Sequence, residues 1–507
     1  GAAAPAAPAA PIALAAPAPV AVPSVRVCVR VRPMLAWESA DGLGASRLQL
    51  RHGQGGAVTL LPPEDDKELG LDSAAQSRDR SRPPKPKTFA FDSVFGPESS
   101  QQDIWDQAQI GALVGKVVEG FHATVFAYGQ TGSGKTHTME GNACNAVAGV
   151  SPALLADGSK RSRQRARPTL SVGPDPGVVP RAVRELFERI GQARAEAVLD
   201  GGAEDQFLVK VSFLQIYKER VFDLLNPAAV ASANSAGVGS TFGASDEGAA
   251  GLRLRWDASR RGFFVENLFE FECSDAEEVL QHYATGLRHK QVAPTGMNAQ
   301  SSRSHTIMLV TLVRRASLAR GDEAELREAA LPTHGPVSEV VSMLALVDLA
   351  GSERSAGAGA DSQAGAERFR EAININQSLF VLRRVIAALS RRDRGEGPAQ
   401  EDDPHVPYRE SKLTSLLQHA LGGGGFMLML ACLSPADRHF EENLSTLQYA
   451  SQAALIKNEP VVNLDPKDRL IQRLRHQLSL AHAYILDHMG LDELPVELLE
   501  DPAPAGG

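Results

Sequence analysis

The chain is poor in cysteine: Cys28, Cys144, Cys273 and Cys432 are scattered over 507 residues with no close pair. That spacing argues against a disulfide framework or a zinc site and fits a reducing compartment. No apolar run reaches membrane-spanning length, so no membrane insertion is expected. Positive charge is in deficit, with 52 Lys and Arg against 61 Asp and Glu and a net charge of −9. No global positive field draws such a chain to nucleic acid, and an acidic partner has to be met by a local basic patch. Residues 1–23 lack a basic segment, and prolines break their apolar content. They read as a disordered Ala/Pro-rich extension rather than a signal peptide. The chain starts with Gly, which suggests a fragment or processed form.

What is present is a core-forming apolar fraction of 43% and an alternation of strand-like and helix-like segments. Val25 to Pro33 alternates as a first strand, Phe207 to Tyr217 reads as a buried strand, and 306–313, 343–348 and 426–433 follow. Helical spacing covers 101–121, 182–199, 275–291, 366–392, 408–420 and 440–454, while 34–87 is mostly irregular and polar. Strands alternating with helices predict an α/β domain with a central mixed sheet. Polar or Gly/Ala/Ser-rich insertions are expected at about 142–176, 227–251 and 316–340, the first with a basic run at 160–167.

Gly129-Gln130-Thr131-Gly132-Ser133-Gly134-Lys135-Thr136 fits G-x-x-x-x-G-K-[ST] and follows the strand-like run Thr124 to Tyr128. In such a loop the glycines let backbone N–H groups close round phosphate oxygens, the lysine reaches the β- and γ-phosphates, and the Thr136 hydroxyl binds Mg²⁺. A phosphate loop alone does not choose among GTPases, ATPases, kinases and motors. Two further constellations bear on that choice: Asn298-Ala299-Gln300-Ser301-Ser302-Arg303-Ser304-His305, and Asp348-Leu349-Ala350-Gly351-Ser352-Glu353-Arg354 after the apolar strand Leu344 to Val347. A carboxylate at a strand end can hold Mg²⁺ through water, and a glycine just after it can offer its N–H to a γ-phosphate.

These segments resemble the kinesin motor domain. AYGQTGSGKT, NxxSSRSH and DLAGSER occur in the family's order, with Arg30 and Pro33 of RxRP, HVPYRESKLT from His405 to Thr414, and a closing match from Leu444 to Asn463. The resemblance implies a phosphate-loop NTPase fold, with a central mixed, mainly parallel sheet flanked by helices on both faces. It implies ATP/ADP and Mg²⁺ as cofactors. Arg30 and Pro33 would flank the adenine with His137 near it. Gly129, Gln130, Thr131, Gly132, Ser133, Gly134, Lys135 and Thr136 would hold the phosphates, with Asn298 and Ser301 alongside. Thr136, Ser302 and Asp348 would serve the metal, Gly351 would sense the γ-phosphate, and Arg303 and Glu353 would pair to order the attacking water.

The resemblance implies a motor domain over 24–457, a neck linker at 458–465 with Asn463 as its docking asparagine, a neck helix or short coiled coil at 466–490 and a flexible tail at 491–507. Microtubules are the implied partner, with an unknown cargo and a homo- or heterodimer through a stalk. The implied setting is the cytoplasm and cytoskeleton, with cilium, axoneme and spindle as candidates. Tubulin is acidic, and the candidate cations are Arg409, Lys412, Arg383, Arg384, Arg391, Arg392, Arg253, Arg255, Arg260 and Arg261. The chain departs from the family pattern: INKSL reads Ile375-Asn376-Gln377-Ser378-Leu379, and ALGNVI reads Val381-Leu382-Arg383-Arg384-Val385-Ile386. Two functions therefore stand side by side: a microtubule-stimulated, plus-end-directed ATPase, and a kinesin-like microtubule-associated structural protein with weak or no motility.

Overall fold

A computed structural model describes residues 22–40, 46–62, 85–141, 144–146, 170–172, 175–199, 205–226, 251–258, 262–292, 303–315, 339–353, 363–394 and 405–463, with 470, 474 and 477. The strands are β1 Val25–Val31, β2 Leu48–Arg51, β3 Gly53–Gln54, β4 Ala57–Leu60, β5 Lys87–Ala90, β6 Ser93–Phe95, β7 His122–Tyr128, β8 Cys144–Ala146 and β9 Leu170–Val172. They continue with β10 Gln206–Tyr217, β11 Arg220–Asp223, β12 Leu254–Asp257, β13 Gly262–Val265, β14 Phe271–Cys273, β15 His305–Arg315, β16 Glu339–Asp348 and β17 Gly425–Leu433. The helices are α1 Ala36–Ala40, α2 Gln101–Gln107, α3 Ile110–Val118, α4 Lys135–Glu140, α5 Val178–Leu199, α6 Ala276–Val292, α7 Gln363–Arg394, α8 Lys412–Leu416 and α9 Phe440–Ala453.

The main sheet has the order β11-β10-β15-β16-β7-β17-β1-β6-β3, with β14 also on β10. It is parallel through its centre, from β16 to β6, and antiparallel toward both sides. The central strands are apolar almost throughout because both faces are covered. Alternation along β7 sends Val125 and Ala127 to the face packed by α3, α5 and α6, and Phe126 and Tyr128 to the face packed by α7, α8 and α9. This is the expected mixed α/β sheet, and its parallel strands end where the phosphate loop begins.

Three local readings change. Residues 34–87 contain β2 and β4, which join β5 in a small antiparallel sheet whose Val58 and Leu60 are buried; its strands are too short to stand out as periodic. The 101–121 helix is two helices, because Gln109 adopts a left-handed φ of 50°. The 408–420 helix is a 3₁₀ turn, Tyr408–Glu410, followed by α8. Ser411 divides them: its backbone is extended and its side chain caps α8 by accepting from Leu413 N. The inserted segments, the extension up to residue 21, the proposed neck helix or coiled coil and the tail lie outside the described residues, apart from short pieces.

Residues 456–463 lie along the edge of the core. Glu459 N donates to Gly423 O, Val461 N to Gly424 O, and Asn463 N to Gly120 O, while Asn463 O accepts from Val341 N. A Cβ on Gly424 would stand 2.7 Å from Val461 Cγ2, so glycine leaves room for this strip. Asn458 anchors its start: its Oδ1 accepts from Gly422 N, and its Nδ2 donates to Ala420 O and Gly425 O. Asn458→Ala would leave these backbone groups without partners. The expected cost is about 2 kcal/mol, read from urea unfolding; a loss under a quarter of that would contradict the anchoring role.

Candidate nucleotide-binding site

The loop from Gly129 to Gly134 joins β7 to α4, and Asp348 ends β16, whose last residue pairs with Ala127 of β7. A phosphate loop and an acidic strand end are thereby placed side by side at the carboxyl edge of a parallel sheet, where ligands of open α/β folds bind. Gly129, Gly132 and Gly134 take φ of 150°, 78° and 97°, which turn the loop back onto α4.

Lys135 is buried, and its Nζ donates to Gly129 O and Gln130 O, both at 2.8 Å. Burial lowers its pKa, opposed by the carboxylates of Asp348 and Glu353. Thr136 Oγ1 donates to Asp348 Oδ2 at 2.7 Å, while Asp348 Oδ1 is buried without a hydrogen-bond partner. A hydroxyl and a carboxylate with a free, buried oxygen suit a hard cation that takes oxygen ligands. The donor set therefore fits Mg²⁺.

The segment after Asp348 is seated on the phosphate loop. Ser352 N donates to Gly129 O at 3.1 Å. Glu353 accepts from Thr131 N at 2.7 Å through Oε2 and from Thr131 Oγ1 at 2.5 Å through Oε1. A Cβ on Gly351 would lie 2.2 Å from Thr131 Oγ1 and 2.3 Å from Glu353 Oε2, so a larger residue would displace these two side chains from each other. Arg303 stands just before the buried Ser304 at the start of β15. Asn298, Ser301 and Ser302 lie outside the described residues.

On the side expected to hold the adenine, Arg30 is buried and its Nη1 donates to Thr138 Oγ1 at 2.9 Å. Pro33 and His137 are exposed. The structure adds residues that the motif reading does not name. Arg32 Nε donates to Gly132 O at 2.6 Å, and its guanidinium pairs with Glu38 through two bonds of 2.7 and 2.6 Å. Gln101 Nε2 donates to His137 O at 2.7 Å and lies 3.2 Å from His137 Nδ1. Lys290, at the end of α6, lies 3.8 Å from Asp348 Oδ2, and burial pushes the neighbouring Glu140 up to about 7. His305 Nδ1 accepts from Ala350 N, so its Nε2 carries the proton and donates to Ser378 Oγ; burial, with nearby Lys135 and Lys290, lowers its pKa to about 3 and keeps it neutral.

The Arg32–Glu38 pair gives a pH-dependent expectation. Hydrogen bonds from Arg32 hold Glu38, which is 3% exposed, at about 2 against an ordinary 4.5. A depressed folded-state pKa stabilises above the unfolded value, and that contribution fades as pH falls from about 4.5 toward 2. Glu38→Gln is expected to cost about 2 kcal/mol near pH 7, since one acceptor survives the change. The gap in urea midpoint from the parent should narrow as pH is lowered from 5 to 3; a pH-independent gap would contradict this account.

The cations expected to face an acidic partner separate into groups. Arg253 and Arg255, with Arg220, Lys412 and Glu219, line a polar cleft of about 270 Å³. Glu219 accepts from Ser411 Oγ and Lys412 N and so fixes the start of α8. Arg409 lies over the Phe263 ring, Arg384 pairs with Glu410, and Arg391 is exposed. Arg260 and Arg261 lie outside the described residues. Arg383 corrects the expectation: it turns inward, donating to Tyr128 Oη and Ser352 O. The hydroxyl of buried Tyr128 and the backbone carbonyl of buried Ser352 accept from its guanidinium there.

The family profile described as the kinesin motor domain matches residues 30–456. This chain belongs to the kinesin family. It is 32% identical to human chromosome-associated kinesin KIF4A over 479 residues, which is 94% of this chain and 30% of that protein. It is 33% identical to kinesin-like protein KIN-4C of Arabidopsis thaliana, covering 93% of this chain and 31% of that one. The chain thus spans about a third of the length of these relatives. Among solved structures, a fast kinesin superposes with a TM-score of 0.60 at 30% identity, covering 87% of this chain and 94% of that one. A KIF14 dimer bound to a microtubule with AMP-PNP gives 0.62 at 27% identity, covering 89% and 99%. The fold is therefore that of kinesin motors, with helices on both faces of a mixed sheet.

Proposed function

We propose that this kinesin chain is a microtubule-stimulated ATPase that couples ATP binding and hydrolysis to microtubule binding and plus-end-directed movement. One observation carries the reading: the loop holding Gly351 and Glu353 rests directly on the phosphate loop, beside a paired Thr136 and Asp348. Phosphoryl transfer depends chiefly on positioning and charge neutralisation. Lys135 would release its two loop carbonyls and turn to the β- and γ-phosphates. Thr136 and Asp348, with Ser302, would hold Mg²⁺, which supplies charge neutralisation when bound. Gly351 would offer its N–H to an entering γ-phosphate, and Glu353 would leave Thr131 to pair with Arg303. The proposed neck linker, 458–465, would include the part of this strip from 458 to 463; its place after the motor domain supports plus-end direction. The cleft lined by Arg253, Arg255 and Lys412, with Arg409, is the basic patch proposed to meet acidic tubulin.

The second reading, a microtubule-associated kinesin with little movement, draws support from the inward turn of Arg383, which shortens the list of outward cations. The deciding experiment is ATP turnover with and without stabilised microtubules at low and moderate salt. Stimulation of about tenfold or more, weakening with salt as surface charge attraction should, is the expected result. Binding without stimulation would overturn the motor reading and favour the static one.

A further inference from the structure

Arg383 closes a hydrogen-bonded circuit between α7 and the nucleotide site. Its Nε donates to Tyr128 Oη at 2.9 Å, and its Nη2 donates to Ser352 O at 3.2 Å. Ser352 N in turn donates to Gly129 O, and Gly129 is the residue bonded to Tyr128. The ring therefore runs from α7 to the segment after Asp348, from there to the phosphate loop, and back to α7 through the last residue of β7.

Each member is held from another side. Tyr128 is fully buried and its ring lies 4.5 Å from that of Tyr449 on α9. Ser352 is 5% exposed. The neighbours of Arg383 on α7, Leu382, Val385 and Ile386, are buried in the core beneath it. A guanidinium is always charged and presents donors in a rigid fork, so it can bridge two fixed acceptors where an ammonium reaches one well. Val381–Ile386 stands where the family pattern quoted above reads ALGNVI, whose third residue is glycine.

We propose that Arg383 is a positioning residue that clamps the segment carrying Gly351 and Glu353 to α7, making the two move together when nucleotide is bound or released. The clamp bears on the same segment as the ATPase reading and rests on it for its functional consequence. It gives that segment a direct side-chain connection to α7 at residue 383, beyond the continuous backbone. A two-state element transmits between sites when both ligands bias the same arrangement, and the circuit makes the segment and the helix one such element.

The test is hydrogen exchange on the whole chain without nucleotide, for the parent, Arg383→Met, Arg383→Lys and Tyr128→Phe. Met keeps the length of the apolar stem and removes every donor. Exchange of the amides of 349–353 is expected to speed up about tenfold in Arg383→Met, with the amides of β7 and β17 unchanged. Arg383→Lys and Tyr128→Phe, which each keep part of the circuit, should fall between. The functional arm compares fluorescent ADP affinity with microtubule stimulation: affinity should stay within about threefold while stimulation drops about tenfold. Unchanged exchange at 349–353, or equal acceleration throughout the chain, would overturn the clamp. A parent protein that binds ADP but shows no microtubule stimulation would overturn the motor reading instead, and the exchange data would still judge the clamp.

Discussion

Gly129→Ala is expected to abolish nucleotide binding and to destabilise the fold by about 4 kcal/mol. Two effects add. The φ of 150° at this residue is one that alanine rarely adopts. A Cβ would also stand 2.2 Å from the carbonyl oxygen of Cys432 and 2.8 Å from Ser133 Oγ. The Cys432 oxygen is backbone of β17, which is locked in register between β7 and β1, so it cannot yield as a flexible side chain would. Relief has to come from the phosphate loop, which would shift away from Lys135 and Thr136. Gly132→Ala is the control: its φ is 78°, yet nothing lies within 4 Å of the new Cβ, so only the backbone cost of about 1 kcal/mol applies. Urea unfolding and fluorescent ADP titration of both variants check this. Equal losses in the two would refute the steric argument.

Glu353→Ala is expected to lower ATP turnover about a hundredfold or more while leaving ADP affinity within about threefold. Its carboxylate is bound here by Thr131 alone among the contacts described above, and it lies two residues from Gly351. It is therefore poised to exchange the phosphate loop for another partner when a γ-phosphate enters. In the proposed mechanism its charge acts in the hydrolytic arrangement rather than in holding the diphosphate, so the loss should fall on turnover. Single-turnover hydrolysis measured beside ADP binding separates the two. Turnover within threefold of the parent would remove Glu353 from the proposed machinery.

The sequence made the nucleotide side legible because phosphate chemistry fixes residue types at fixed, short spacing. Gly129 to Thr136 is such a run, and its neighbours β7 and α4 could be read from the flanking pattern. Asp348 is legible from its place at the end of an apolar strand, and Glu353 only through the resemblance to kinesin motors. Arg32 falls within the RxRP match, but its contacts do not show there: they are a bond to Gly132, 100 residues away, and a pair with Glu38, whose burial depends on the turn of α1. Lys290 and Gln101 are likewise ordinary in sequence and acquire a role only when helix ends converge on Asp348 and His137. Arg383 groups with the expected outward cations because nothing in the pair Arg383-Arg384 distinguishes one arginine from the other. Only the position of Tyr128 beneath that helix shows which arginine turns in.

The bonds of 459, 461 and 463 to Gly423, Gly424 and Gly120 form a row along one strip, ending at Val341 near the start of the strand that closes with Asp348. A row of this kind has an uneven mechanical strength. Tension along the strip loads all the bonds together, as in shear. Tension away from the surface loads them singly from the far end, as in unzipping. The strip therefore resists pulling in one direction more than in another, and the strand anchoring its end also carries the carboxylate beside the phosphate loop.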